Sequence, residues 1–93
     1  MNTIEKNKII AEFMNLNITK RNPTTVLYHR DWNWLMELVE KIEYLGYFIQ
    51  IDNIGCVISQ NNNDIFKINN RIRIEAVYNA CVEFIKYYNK QNK

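Results

Sequence analysis

His29 is the only imidazole in the 93-residue chain, so it is the first candidate for acid–base chemistry or metal binding. No serine, cysteine or carboxylate is linked to it by spacing except Asp31, two residues later. Asp31 is also placed to accept hydrogen bonds from the first backbone N–H groups of a helix as an N-cap. A loop histidine hydrogen-bonded near a helix start is therefore the simpler interpretation of His29.

The remaining reactive residue types form no recognisable site. Cys56 and Cys81 lie 25 positions apart, whereas a zinc site needs four ligands in closely spaced pairs. The two glycines cannot build a phosphate-binding loop, and Glu37, Glu40 and Glu43 fall on different sides of a helix. We therefore expect no catalytic residues, no metal and no cofactor, and a buried, inert thiol at Cys81.

Surface aromatic and basic residues give the second class of candidate. Trp32 and Trp34 are two positions apart and cannot point the same way on a helix. Either both pack inside, or one joins an exposed aromatic contact of the kind that dominates protein interfaces. Base stacking on Tyr28 or a tryptophan, with Lys20, Arg21 and Arg30 on phosphates, is a third option. The candidate partner-binding residues are Lys20, Arg21, Tyr28, His29, Arg30, Trp32 and Tyr44.

The helix over about 32–45 is the element around which these candidates are placed. Asp31 starts it and Gly46 ends it. Its apolar residues cover an arc of about 200°, about twice what one neighbour requires. We therefore expect two neighbours, with one tryptophan at each edge of the arc. The apolar residues of the arc are Trp32, Trp34, Leu35, Met36, Leu38, Val39, Ile42 and Leu45.

The other elements follow from local patterns. Asn2 and Glu5 resemble a capping box before a helix over 3–15, and a loop follows over 16–31, in which 24–28 can form a short extended piece. Alternating residues over 47–68 predict an antiparallel hairpin and a possible third strand, with asparagines in the turns. A last helix over 71–90, capped by Asn70 or Asn69, has a wide apolar arc. The fold class is α+β, with the order α-α-β-β-(β)-α in one domain, 1–93.

Net charge is +2, which is too small to indicate nucleic-acid binding by bulk attraction. Its distribution is uneven: residues 1–30 and 71–93 each carry +3, and residues 31–45 carry −3. These are either solvated helix faces or surfaces for a charged partner. No secretory leader or membrane-spanning run is present in the sequence, so we expect a cytoplasmic protein whose two cysteines are free thiols.

Several blocks of the chain occur together in one order: residues 10–14, 28–29, 32–36, 39–43, 74–86 and 88–89. Together these blocks resemble those of small phage and prophage proteins of the ABA-sandwich kind. Asn15 and Glu37 stand where that family often has glycine and proline. The resemblance implies a small sheet between helical layers and carries over no functional residues.

In its small size and in having no recognisable active site, the chain is similar to anti-CRISPR proteins, including those that act on RNA-guided RNA-cleaving effectors. We therefore expect a non-enzymatic inhibitor that binds a CRISPR effector nuclease, its ribonucleoprotein or its guide RNA. The alternatives are a structural or regulatory phage protein that self-associates, for example as a homodimer, and a single-strand RNA-binding module.

Overall fold

The computed structural model describes residues 2–15 and 26–91, and these residues form three helices and one sheet. The helices are α1 (Thr3–Phe13), α2 (Trp32–Tyr44) and α3 (Arg73–Gln91). The strands are β1 (Phe48–Ile51), β2 (Gly55–Gln60) and β3 (Asn63–Asn69). The predicted α+β class and element order are confirmed, and the third strand is present.

The helix ends follow from local hydrogen bonds. The side chain of Asn2 accepts from the Glu5 backbone N–H at 2.9 Å, and that of Asp31 accepts from the Asn33 N–H at 2.8 Å, so both predicted N-caps are confirmed. Helix α1 ends two residues earlier than predicted because Asn15 takes a left-handed φ of 59°. Gly46, at φ 99°, ends α2 in the same way one residue early.

The start of α3 differs from the prediction. Asn69 belongs to β3, and the Asn70 carboxamide accepts from the Ile72 N–H at 2.9 Å, in a turn that precedes the helix. The helix therefore starts at Arg73 rather than at residue 71. In the predicted loop, residues 16–25 lie outside the described residues. Of the extended piece predicted over 24–28, only residues 26–28 are described, and they form no strand. Residues 28–30 form a turn, and the N–H groups of Arg30 and Asp31 both donate to the carbonyl of Leu27.

The sheet is antiparallel with the order β1-β2-β3. Asn61 and Asn62 take left-handed φ angles of 54° and 66° in the turn between β2 and β3, as expected for the asparagine turns. One face of the sheet points into the core through Cys56 and Ile58. The residues of the other face are largely exposed, among them Phe48, Gln50, Lys67 and Asn69.

Helix α3 is the centre of the helical layer. It packs on β2 and β3 on one side and contacts α1 and α2 on others. Its residues Val77, Cys81 and Phe84 are completely buried, as its wide apolar arc predicts. Helix α2 contacts the sheet at β1.

Helix α2 buries a narrower stripe than its arc predicts. Leu35, Leu38, Val39 and Ile42 are buried, and Trp34 is half-buried. Trp32 and Met36 are 40% and 39% exposed, so the described residues leave that edge of the helix uncovered. The expectation that each tryptophan packs against a neighbour is correct for Trp34 and wrong for Trp32.

Candidate functional site

A buried asparagine joins three parts of the chain in one hydrogen-bond network. Asn7, on α1, is only 3% exposed. Its Nδ2 donates to the Val26 carbonyl at 3.2 Å and to His29 Nδ1 at 3.0 Å, and its Oδ1 accepts from the Tyr78 hydroxyl at 2.9 Å. All the side-chain hydrogen-bonding capacity of Asn7 apart from one oxygen lone pair is therefore used. The network holds the segment before α2 against both α1 and α3.

This network determines which nitrogen of His29 carries the proton. A carbonyl can only accept, so the Asn7 atom facing Val26 is the amide nitrogen, and the same nitrogen donates to His29. Nδ1 of His29 is therefore unprotonated, and the proton of the neutral ring is on Nε2. Burial, with the nearby charge of Arg30, lowers the pKa of His29 below its usual 6.5, which favours this neutral form at pH 7.

His29 also lines a small polar cavity of about 290 Å³ between α1 and α3. The other lining residues are Thr3, Lys6, Glu75, Tyr78 and Asn79. The Lys6 ammonium donates to Asn79 Oδ1 at 3.1 Å, and burial raises the pKa of Tyr78 to about 12, so its phenol stays protonated. A general base needs a free lone pair to accept a proton. Nε2 of His29 carries the proton of the neutral ring, so it has no free lone pair and cannot act as a general base toward this cavity.

The two cysteines are free thiols inside the core. Burial, with the nearby Asp52, raises the pKa of Cys56 to about 11, and burial also raises the pKa of Cys81. A thiol is nucleophilic as the thiolate, so both groups are poor nucleophiles at neutral pH. Among residues 2–15 and 26–91, no three histidines, cysteines or acidic residues come together as a metal site.

An open groove lies where the start of α2, the end of β1 and the start of α3 meet. We call it the Trp32 groove; it has a volume of about 730 Å³. Trp32 and Ile72, the latter 55% exposed, give it apolar surface, and Arg71 and Arg73 give it charge. The full lining is Trp32, Ile51, Asn53, Arg71, Ile72, Arg73 and Ile74.

Arg71 also lines an adjoining depression of about 410 Å³ that contains Lys67. The only ion pair within the described part of the chain joins Lys86 to Glu83, so Arg71, Arg73 and Lys67 have no carboxylate partner there. Asp52 lines a third depression together with Lys67, and its carboxylate accepts from the N–H groups of Ile54 and Gly55. This end of the molecule therefore combines an exposed indole with three cations that form no ion pair with a described carboxylate.

The residues predicted to bind a partner are not brought together as one surface. Lys20 and Arg21 lie outside the described residues. Tyr28 is 1% exposed and packs edge-on against Trp34 with ring centroids 5.2 Å apart, so its ring is core and not surface. His29 belongs to the Asn7 network. Arg30 is exposed in the turn before α2.

Trp32 and Tyr44 are both exposed, but they lie at opposite ends of α2, roughly 18 Å apart along its axis. Arg71 and Arg73 were not predicted from the sequence to lie beside Trp32. The +3 charge of residues 71–93 was the available indication, but nothing local connects Trp32 with a segment 39 residues later.

Comparison of the chain with family models, with curated proteins and with solved structures returns no match. None of the described helices has the length and apolar character needed to cross a membrane.

Proposed function

We propose that this chain is a non-enzymatic, phage- or prophage-encoded binding protein that inhibits a host defence system in the host cytosol. Its partner is an RNA-guided nuclease or the ribonucleoprotein that this nuclease forms. The Trp32 groove carries the proposal, because it presents an exposed indole beside Arg71, Arg73 and Lys67. Tryptophan and arginine are the side chains that most often dominate binding energy at interfaces.

The state of the reactive groups supports binding rather than catalysis. His29 Nδ1 is occupied by Asn7, and Cys56 and Cys81 are buried with raised pKa values. The polar cavity beside His29 contains an ammonium and a phenol that are already hydrogen-bonded. These features favour an inhibitor that acts by occupying a surface of its target.

The proposal is tested by adding the purified protein to a panel of purified RNA-guided RNA-cleaving and DNA-cleaving nucleases. We expect target cleavage by at least one nuclease to stop near one equivalent of inhibitor. Trp32→Ala and the double variant Arg71→Gln/Arg73→Gln should lose at least tenfold in potency, whereas Tyr44→Ala, at the far end of α2, should not. Unchanged cleavage across the panel would contradict the proposal.

Self-association is the second candidate, and exposed aromatic side chains away from the groove favour it. Tyr44 is 90% exposed and Phe48 is 70% exposed, close together in sequence at the end of α2 and the start of β1. Large exposed apolar side chains of this kind often mark an interface. Sedimentation equilibrium at 5–500 µM separates the two candidates: a dimer that Tyr44→Ala/Phe48→Ala dissociates supports self-association, and a monomer throughout excludes it.

A free-standing single-strand RNA-binding module is the third candidate, and it would bind RNA without affecting any nuclease.

A further inference from the structure

We propose that the Trp32 groove binds a short single-stranded nucleic acid segment, with a base on Trp32 and phosphates on Arg71, Arg73 and Lys67. This inference deepens the proposed function and rests on it in one respect: within an RNA-guided nuclease, the segment is part of the guide RNA.

The indole provides a surface for a base. Trp32 is the first residue of α2, is 40% exposed and lines the groove together with Ile51 and Ile72. Bases stack on such rings whatever their sequence, because every base has a π face. Stacking needs an unpaired base, so the groove fits a single strand and not a duplex.

The cations are placed for the backbone of that strand. Arg71 lines both the Trp32 groove and the adjoining depression, Arg73 lines the first and Lys67 the second. All three side chains are exposed and have no carboxylate partner among the described residues. Positive charge therefore continues from the indole into the neighbouring depression, as the path of a polyanion requires.

Charged and apolar side chains alternate beside Trp32, and this alternation favours a nucleic acid over an acidic peptide. Arg71, Ile72 and Arg73 follow one another, so cation, apolar side chain and cation occur beside the indole. A nucleotide strand repeats a phosphate and a flat aromatic base at every step, and it matches this alternation. An acidic peptide carries its charge and its apolar surface on different residues. Asn53 and Asn69 are exposed at the same surface and offer carboxamides to base edges.

Fluorescence anisotropy with a labelled adenosine octamer RNA tests the inference, using the full chain at 50–200 mM KCl. Three phosphate contacts predict that log K falls with log salt at a slope of about −2. Trp32→Ala should weaken binding about tenfold, and Trp32→Phe should restore most of it. Arg71→Gln/Arg73→Gln should reduce the slope to about −0.7. Lys90→Gln, an exposed cation at the other end of α3, should leave the slope unchanged.

Competition identifies the class of ligand. An unlabelled duplex of the same length and a poly-glutamate peptide should compete at least tenfold less well than the unlabelled octamer. Equal competition by either one, or a salt slope near zero, would overturn the inference. Circular dichroism of each variant confirms that lost binding is not lost folding.

The two proposals fail separately. Nuclease inhibition that depends on Trp32, without binding to the octamer, would overturn the nucleic-acid contact and leave the proposed function intact. Octamer binding with the expected slope, without inhibition of any nuclease, would overturn the proposed function and support the contact.

Discussion

Replacing Asn7 with alanine should destabilise the protein more than any other single change of a polar side chain in the described residues. The carboxamide serves the Val26 carbonyl, His29 Nδ1 and the Tyr78 hydroxyl. The hydroxyl keeps a second acceptor, the Thr3 carbonyl at 3.4 Å, so two partners lose their hydrogen bonds. At about 1–2 kcal/mol for each unsatisfied group, the free energy of unfolding should fall by about 2–4 kcal/mol.

Urea unfolding followed by circular dichroism measures this loss. Asn89→Ala is the matched control, because Asn89 is an exposed helical asparagine of α3 and its replacement should change the free energy of unfolding by less than about 0.5 kcal/mol. A loss for Asn7→Ala no larger than that of Asn89→Ala would refute the reasoning that the network holds three segments together.

Asn7→Asp tests the tautomer assigned to His29 within the same network. A carboxylate still accepts from Tyr78 but cannot donate to His29, so Nδ1 must acquire a proton to make the contact. The pKa of His29 should therefore move from below 6.5 in the natural chain to a higher value in the variant. His29 is the only histidine, so an NMR titration reads its pKa directly. An equal pKa in the two proteins would contradict the assignment.

Three further predictions follow from burial and backbone geometry. Folding lowers the pKa of His29 below 6.5, so the unfolded chain takes up this proton more readily. The free energy of unfolding, measured in urea, should therefore be constant above pH 6.5 and should fall as the pH drops below 6.5 and through the folded pKa. His29→Gln should lose this part of the pH dependence. Gly55→Ala should lower the free energy of unfolding by more than about 2 kcal/mol in thermal unfolding, because the new Cβ would lie 2.0 Å from the Ile68 carbonyl oxygen. At Gly46 a new Cβ meets no neighbour, so Gly46→Ala should cost about 1 kcal/mol. Equal costs would contradict this contrast. The Cys56 thiol is buried with a pKa of about 11, so a disulfide reagent at pH 8 should react with it only when the chain opens. Fast reaction in the native state would contradict its placement.

The features predicted correctly from the sequence depend on residues close together in the chain. Asn2 and Asp31 cap helices through backbone groups two or three residues away, and Gly46 and Asn61 adopt left-handed conformations that their own chemistry permits. Such interactions are visible in a short window. The three helices and the sheet could therefore be predicted with small errors at their ends.

The site depends on residues that are far apart in the chain. Asn7 and Tyr78 are separated by 71 positions, and neither belongs to a pattern that predicts their hydrogen bond. A helical wheel showed that α2 has apolar residues at Trp32 and at Trp34, but not which of these edges the rest of the chain covers. That choice depends on the packing of Tyr28 against Trp34, and it leaves Trp32 free to form the groove with Arg71.

The most direct test of binding through the Trp32 groove is the stoichiometry of nuclease inhibition, measured at several nuclease concentrations with the natural chain and with Trp32→Ala. For a tight binding inhibitor, the half-inhibiting concentration should track half the nuclease concentration, and Trp32→Ala should raise it at least tenfold. If far less than one equivalent of the protein inhibited the nuclease, and the inhibition increased with time, the protein would be acting as a catalyst. That result, or full potency in Trp32→Ala, would contradict the proposed mode of action.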